Sequence, residues 1–191
     1  PTDPRPETTT PVEERELLAV GAPLLLSPAL RRLGGFTFLG ILSPRIRRAV
    51  TGVGLTPGRL SGARPSDGTR LDHSLAVAFI AFRLARRLKL RPEVERYAVA
   101  WGLLHDIATW PLSHTAEPAF EKLLGVGCRE LRRRMICDDT SIPRPLHLRG
   151  ALREVKVDPH RLLALFGRDE SAVEGDMRVL WQVVRSPLTP D

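Results

Sequence analysis

The chain has few cysteines and no long apolar run, and both shortages exclude a class of protein. Cys128 and Cys137 are its only cysteines, and they lack zinc-site spacing, so a disulfide-stabilised secreted fold is excluded and a reducing cytoplasm is expected. The apolar stretch LLAVGAPLLL is broken by Gly21 and Pro23, and nothing approaches the roughly 18 apolar residues of a membrane span. We therefore predict a cytoplasmic protein that does not cross a membrane.

Lysine and tyrosine are also scarce. Three Lys and one Tyr stand against twenty-six Arg, and the net charge is +7. This charge suits an anionic partner, but the arginines are spread over the whole chain without interleaved aromatic residues. Solvated arginine-rich faces are therefore favoured over a nucleic-acid surface, and a small phosphate-bearing molecule fits the same charge.

A length of 191 residues indicates one domain. Residues 1–14, PTDPRPETTTPVEE, contain a single aliphatic residue, Val12, and are predicted to be a disordered tail. Residues 15–191 form the predicted domain. Because the chain starts at Pro1 and stops at Asp191, we expect it to be processed, trimmed or partial, and it could continue past Asp191.

Helical periodicity dominates this domain, and no alternating strand pattern or internal repeat is found, so an all-α fold is predicted. Residues 71–90 are apolar nearly all round in their first half, which predicts that His73 is buried. Pro92 opens a second helix that carries Trp101 and His105 on one face and ends by Pro111. Further helices are predicted at about 116–124, 128–136, 160–167 with Asp158 as cap, and 173–184.

Three side chains near the ends of these two helices are potential metal ligands. His73 comes from the first helix, and His105 and Asp106 come from the end of the second. Imidazole nitrogens and a carboxylate suit a transition-metal ion, and a buried carboxylate needs a partner. The alternatives are two hydrogen-bonded core histidines and an aspartate bonded near a helix end.

Two segments resemble a known family. TRLDHSLAV at 69–77 and LLHDIATWPLSHTAEPAF at 103–120 are similar to the signature segments of the HD superfamily of metal-dependent phosphohydrolases, and most similar to its deoxynucleoside triphosphate triphosphohydrolase branch. The similarity extends beyond the histidines and aspartate. It includes Arg70, Ser74, Leu75, Pro111, Ser113, His114 and Glu117. It implies an HD-domain helical bundle over residues 15–191.

The resemblance also implies roles for individual residues. It assigns His73, His105, Asp106 and Asp191 as ligands of one divalent transition-metal ion (Mn, Fe, Co, Ni or Zn), and Arg70 as the contact to the substrate phosphate. Asp191 is assigned through LWQVVRSPLTPD at 180–191, which resembles the helix before the family's last ligand. The implied reaction is attack of metal-activated water on a nucleotide or another small phosphate ester or anhydride. Larger relatives are oligomers, so a homo-oligomer is possible here.

The sequence departs from the family pattern at one catalytic position. A histidine is expected three residues after Asp106, and Thr109 stands there. Threonine is not a general acid near neutral pH, so His114 and Glu117 are the candidate catalytic residues. The alternatives are a phosphate contact for His114 and a helix first-turn charge for Glu117.

Three functions remain. We favour an active phosphohydrolase with altered proton transfer. The alternative is a catalytically degenerate HD domain that binds nucleotide or metal as a regulatory module. A two-iron oxygenase is the least supported, because His147 and His160 would have to supply its extra ligands.

Overall fold

The computed structural model describes residues 11–35, 69–110 and 117–185, and these residues form helices joined by short turns. The α-helices in these ranges are α1 Pro11–Leu26, α2 Pro28–Arg31, α3 Arg70–Arg87, α4 Pro92–Leu104, α5 Glu117–Leu124, α6 Cys128–Cys137, α7 Arg149–Glu154, α8 Pro159–Phe166 and α9 Asp176–Val184. Short 3-10 helices lie at Arg32–Gly35, Arg144–Leu146 and Glu170–Ala172. The predicted all-α fold is confirmed.

The first helix begins earlier than the predicted end of the tail. Helix α1 starts at Pro11 and has Glu13 and Glu14 in its first turn. A proline fits the first helical turn, and acidic side chains there interact favourably with the helix dipole. Residues 11–14, which the sequence analysis places in the tail, thus form the first turn of α1, and residues 1–10 lie outside the described residues.

Helix α3 begins with a capping box that fixes its first turn. The Thr69 hydroxyl accepts a hydrogen bond from the Asp72 backbone N–H at 3.1 Å, and the Asp72 carboxylate accepts one from the Thr69 N–H at 2.8 Å. These two bonds satisfy backbone donors that have no partner inside the helix. They place Arg70 and His73 in the first turn of α3.

Helices α3 and α4 pack together through small residues. The buried residues of α3 include the small side chains of Ser74, Ala78, Ala81 and Ala85 beside the larger Leu75 and Phe82. A Cβ atom added to Gly102 of α4 would lie 2.3 Å from the Cα of Ala78, so the two backbones meet where neither helix could accept a larger side chain. This close approach brings the first turn of α3 beside the end of α4.

The prediction that the first half of α3 is apolar nearly all round and lies in the core holds only in part. Leu75 and Ala78 are buried, but Ile80 is 45% exposed, and His73 is half-buried where burial was predicted. The buried face of α3 carries Leu75 and Phe82 together with small residues, and Ile80 points away from that face. His73 lies one residue off that face, and successive residues of a helix point about 100° apart.

Helix α4 forms the centre of the domain, because every residue from Tyr97 to Leu104 is buried. Residues of α1, α2, α8 and α9 surround it in one core, including Leu17, Leu24, Leu30, Leu162, Leu165 and Leu180. The predicted cap of α8 is confirmed, since the Asp158 carboxylate accepts a hydrogen bond from the Arg161 N–H at 2.9 Å. Asp158 also donates its own N–H to the Tyr97 hydroxyl at 3.0 Å, which ties α8 to α4.

Within the described ranges, no single helix has the length and apolar character of a membrane span. Only one pair of helices in these ranges, Val12–Leu26 and Pro28–Gly35, reaches this length and apolar character when the two are taken together, and the pair is bent by 94°. Leu24, Leu30 and Leu33 of this pair are fully buried in the core.

Candidate metal centre

Three side chains from two separate segments of the chain meet at the junction of α3 and α4. His73, His105 and Asp106 each offer one ligand atom, and these atoms lie within 4.8 Å of one another. The two imidazole rings meet edge to face, with their centroids 5.0 Å apart. Two nitrogen donors and one carboxylate form a set that suits a divalent transition-metal ion.

The orientation of His105 fits this role. Its Nδ1 lies 2.7 Å from the Gly102 carbonyl oxygen, and because a carbonyl only accepts, Nδ1 carries the proton. In the neutral ring the lone pair is then on Nε2, the tautomer that a ligating histidine needs. Nε2 is buried and has no hydrogen-bond partner among the described residues. A buried ring nitrogen in this position is unfavourable unless it binds something, and a metal ion would satisfy it.

Asp106 is held by a buried arginine. The Arg70 Nη1 lies 2.7 Å from the Asp106 Oδ2, and the two side chains are 9% and 14% exposed. Burial alone would raise the pKa of Asp106, but its electrostatic interactions with His105, Arg70 and His73 and the hydrogen bond from Arg70 outweigh burial and lower it. Asp106 is therefore an anionic oxygen donor at neutral pH.

Two arginines from other elements hold the backbone that follows α4. Helix α4 ends at Leu104, and residues 105–108 form turns. Arg132 of α6 donates to the His105 carbonyl, and Arg32 donates to the Ile107 carbonyl and, at 3.4 Å, to the Thr109 carbonyl. Neither arginine stands out in the sequence, because neither lies in a motif and the chain has twenty-six arginines.

Comparison with known families agrees with this geometry. Residues 70–141 match the HD domain. This match supports the HD superfamily, and it contains Arg70, His73, His105 and Asp106 together with helices α3 to α6. It covers less than half of the chain and is narrower than the predicted span of 15–191. Searches of curated proteins and of solved structures found no significant match.

The other predicted site residues of the HD domain are placed differently or not described. His114 and Asp191 lie outside the described residues. Glu117 is half-buried at the start of α5, where its carboxylate accepts a hydrogen bond from the Cys128 thiol, and it is not a member of the three-residue cluster. Thr109 is buried, and the neighbouring Trp110 stacks on Phe120 with ring centroids 5.0 Å apart.

The histidines required by the two-iron alternative are not near this centre. His147 Nε2 lies 3.2 Å from the Ile142 carbonyl oxygen, and His160 is exposed in the first turn of α8. Neither joins His73, His105 and Asp106 in a cluster of potential ligands within the part of the chain that the structure describes.

The Glu117–Cys128 contact leads to a prediction about thiol reactivity. Burial, with the hydrogen bond and charge of Glu117 adding to it, raises the pKa of Cys128 to about 12. Because the thiolate is the reactive form, we expect iodoacetamide at pH 8 to alkylate Cys128 about a thousandfold more slowly than an ordinary thiol. Glu117→Gln should accelerate alkylation, measured by mass spectrometry in a Cys137→Ser background. Alkylation of Cys128 at the rate of a free thiol would contradict the contact.

Proposed function

We propose that this protein is a metal-dependent phosphohydrolase that cleaves a nucleotide or another small phosphate ester or anhydride. The observation that carries the proposal is the buried His105 Nε2, which has no hydrogen-bond partner among the described residues and lies in a cluster with His73 and Asp106. The HD-domain match at 70–141 supports it, because HD domains are generally metal-dependent hydrolases. A divalent ion bound there would supply a Lewis acid that activates water and polarises a phosphoryl oxygen.

The ligand residues are held ready for such an ion. The Gly102 carbonyl fixes the tautomer of His105, and Arg70 fixes the carboxylate of Asp106. Asp191 is proposed as a fourth ligand on the basis of the family resemblance. With three protein ligands around a tetrahedral ion, or four around an octahedral one, positions remain for water and substrate.

Arg70 is also the proposed contact to the substrate phosphate. A guanidinium has five N–H donors arranged along a rigid plane. It can therefore hold the Asp106 carboxylate with one edge and direct another edge towards a phosphate oxygen. In this arrangement one side chain orients a metal ligand and places the negatively charged substrate beside it.

Proton transfer is assigned to His114 or Glu117, since Thr109 stands in the place of the family's histidine. If Glu117 transfers the proton, Glu117→Gln should lower turnover by about a hundredfold or more while the metal content is unchanged. Glu121→Gln, one turn later on the exposed side of α5, is the matched control and should retain turnover. Loss of metal in Glu117→Gln would instead give this residue a supporting role around the site.

A second candidate function is a regulatory module that binds metal or nucleotide without hydrolysis. Thr109 favours it, because its hydroxyl cannot replace an imidazole in proton transfer. Trp110, stacked on Phe120, adds bulk next to the same position. The deoxynucleoside triphosphate branch, cytoplasmic location and homo-oligomeric assembly remain predictions under either function.

One experiment separates these functions. The purified chain is analysed for bound metal and then assayed for release of phosphate, pyrophosphate and triphosphate from a nucleotide panel with Mn, Fe, Co, Ni or Zn added. Release from one nucleotide class that His105→Ala abolishes would support the hydrolase. Stoichiometric metal without any release would favour the binding module. Absence of metal binding under all conditions would refute the hydrolase and the metal-binding form of the module.

A further inference from the structure

We propose that Arg132 is a positioning residue for His105, fixing its backbone and ring and so the geometry of the metal centre. The inference rests on the proposed metal-binding function. Residues 105–109 are called the HD turn below. The geometry points to Arg132 because it donates to the carbonyl of a ligand residue itself.

The HD turn needs donors from outside. The last carbonyl groups of an α-helix have no partners within the helix, and the turn makes short-range bonds of its own from Ile107 N–H to the Leu104 carbonyl at 3.2 Å and from Thr109 N–H to the Asp106 carbonyl at 3.0 Å. The His105 carbonyl takes its hydrogen bond from Arg132, and the Ile107 carbonyl takes one from Arg32. Side chains from distant elements therefore determine where this backbone lies.

Arg132 also closes a ring of contacts around His105. Its guanidinium lies over the Phe166 ring, 4.5 Å from the centroid. Phe166 stacks on Trp101 at 6.2 Å, and Trp101 stacks on His105 at 5.9 Å. Arg132 thus contacts Phe166 at one end of this stack and the His105 carbonyl at the other. The backbone of His105 and the rings that support its imidazole are held by the same side chain.

An electrostatic role and a positioning role of Arg132 predict opposite changes in metal affinity when the residue is replaced. A guanidinium close to a cation site repels the cation, so removing only its charge would strengthen metal binding. Removing a residue that orients a ligand weakens metal binding, typically by ten- to a hundredfold. The direction of the change therefore distinguishes positioning from electrostatics.

The test compares Arg132→Met with Arg129→Met, its control at an exposed position three residues earlier on α6. Binding of Co²⁺ is followed by visible absorption, which reports the coordination geometry. We expect Arg132→Met to bind Co²⁺ about tenfold or more weakly than the unaltered chain, with a changed spectrum. Arg129→Met should match the unaltered chain in affinity and spectrum. Equal or tighter Co²⁺ binding by Arg132→Met would overturn the proposal.

Two further measurements keep the proposal testable if Arg132→Met does not fold or if the chain binds no Co²⁺. If Arg132→Met does not fold, Phe166→Leu is measured instead. It removes the Arg132–Phe166 contact while Arg132 itself is kept, and it should also weaken Co²⁺ binding. Hydrogen exchange of the HD turn without metal should be faster in Arg132→Met than in Arg129→Met. If the unaltered chain binds no Co²⁺, the proposed function fails on its own account. The hydrogen-exchange comparison then tests the positioning role by itself. If the HD turn exchanges at the same rate in Arg132→Met as in Arg129→Met, the positioning role is overturned.

Discussion

Replacing His105 with alanine is expected to abolish metal binding and the thermal stabilisation that metal gives. The residue supplies the buried Nε2 of the cluster. Without it, His73 and Asp106 offer too few donor atoms to hold an ion tightly. An ion present at a hundred times its dissociation constant stabilises the folded state by about 2.7 kcal/mol. For a domain of this size that corresponds to a rise in Tm of about 5–10 °C.

The measurement is metal content together with thermal unfolding, with and without a chelator. His105→Ala should contain no metal, and its Tm should not respond to added metal or to the chelator. His160→Ala, which removes an exposed histidine of α8, should behave as the unaltered chain does. A His105→Ala protein that keeps stoichiometric metal and the same metal-dependent shift would show that the ion is held elsewhere.

Much of the helical framework could be predicted from the sequence. Periodicity predicts α3 and α4, proline and acidic start signals predict where α4 and α8 begin, and the Asp158 cap is confirmed by its bond to Arg161. These helix starts and caps depend on residues within one turn of each other, so a short segment of sequence is enough to predict them. The end of α4 was less predictable. It ends at Leu104, well before Pro111, because the HD turn is held by long-range bonds.

The convergence of His73, His105 and Asp106 was also predictable, because donor chemistry and two short motifs indicate the same three residues. The two arginines that bind the backbone of this site could not be predicted. Arg32 and Arg132 reach the HD turn from 75 and 27 residues away in sequence, and a guanidinium that binds a backbone carbonyl leaves no local pattern. His73 was predicted to be buried because large apolar residues surround it in sequence, but it lies beside the buried face of α3, which includes Ser74, Leu75 and Ala78.

Among the glycines in the described part of the chain, Gly102 is the one whose substitution should damage the fold most. A Cβ atom here would lie 2.3 Å from the Cα and 2.6 Å from the backbone nitrogen of Ala78, so Gly102→Ala forces α3 and α4 apart. Alanine is the better helix former by about 1 kcal/mol, but forcing atoms into a packed core costs about 1–3 kcal/mol and more when backbone must move. We expect a net loss of about 2 kcal/mol or more, lowering Tm by about 4–8 °C.

The same separation should weaken the metal centre, because the α3–α4 contact sets the distance between His73 and His105, and the Gly102 carbonyl itself accepts the His105 Nδ1–H. Gly150→Ala is the control. It lies in α7 with no atom within 4 Å of the added Cβ, so its Tm should be equal or slightly higher. Adding Ala78→Gly to Gly102→Ala should not restore stability, since the closest atoms are backbone. Restoration by that second change would mean that the two helices meet through side chains, and the geometry of the metal centre would then need another origin.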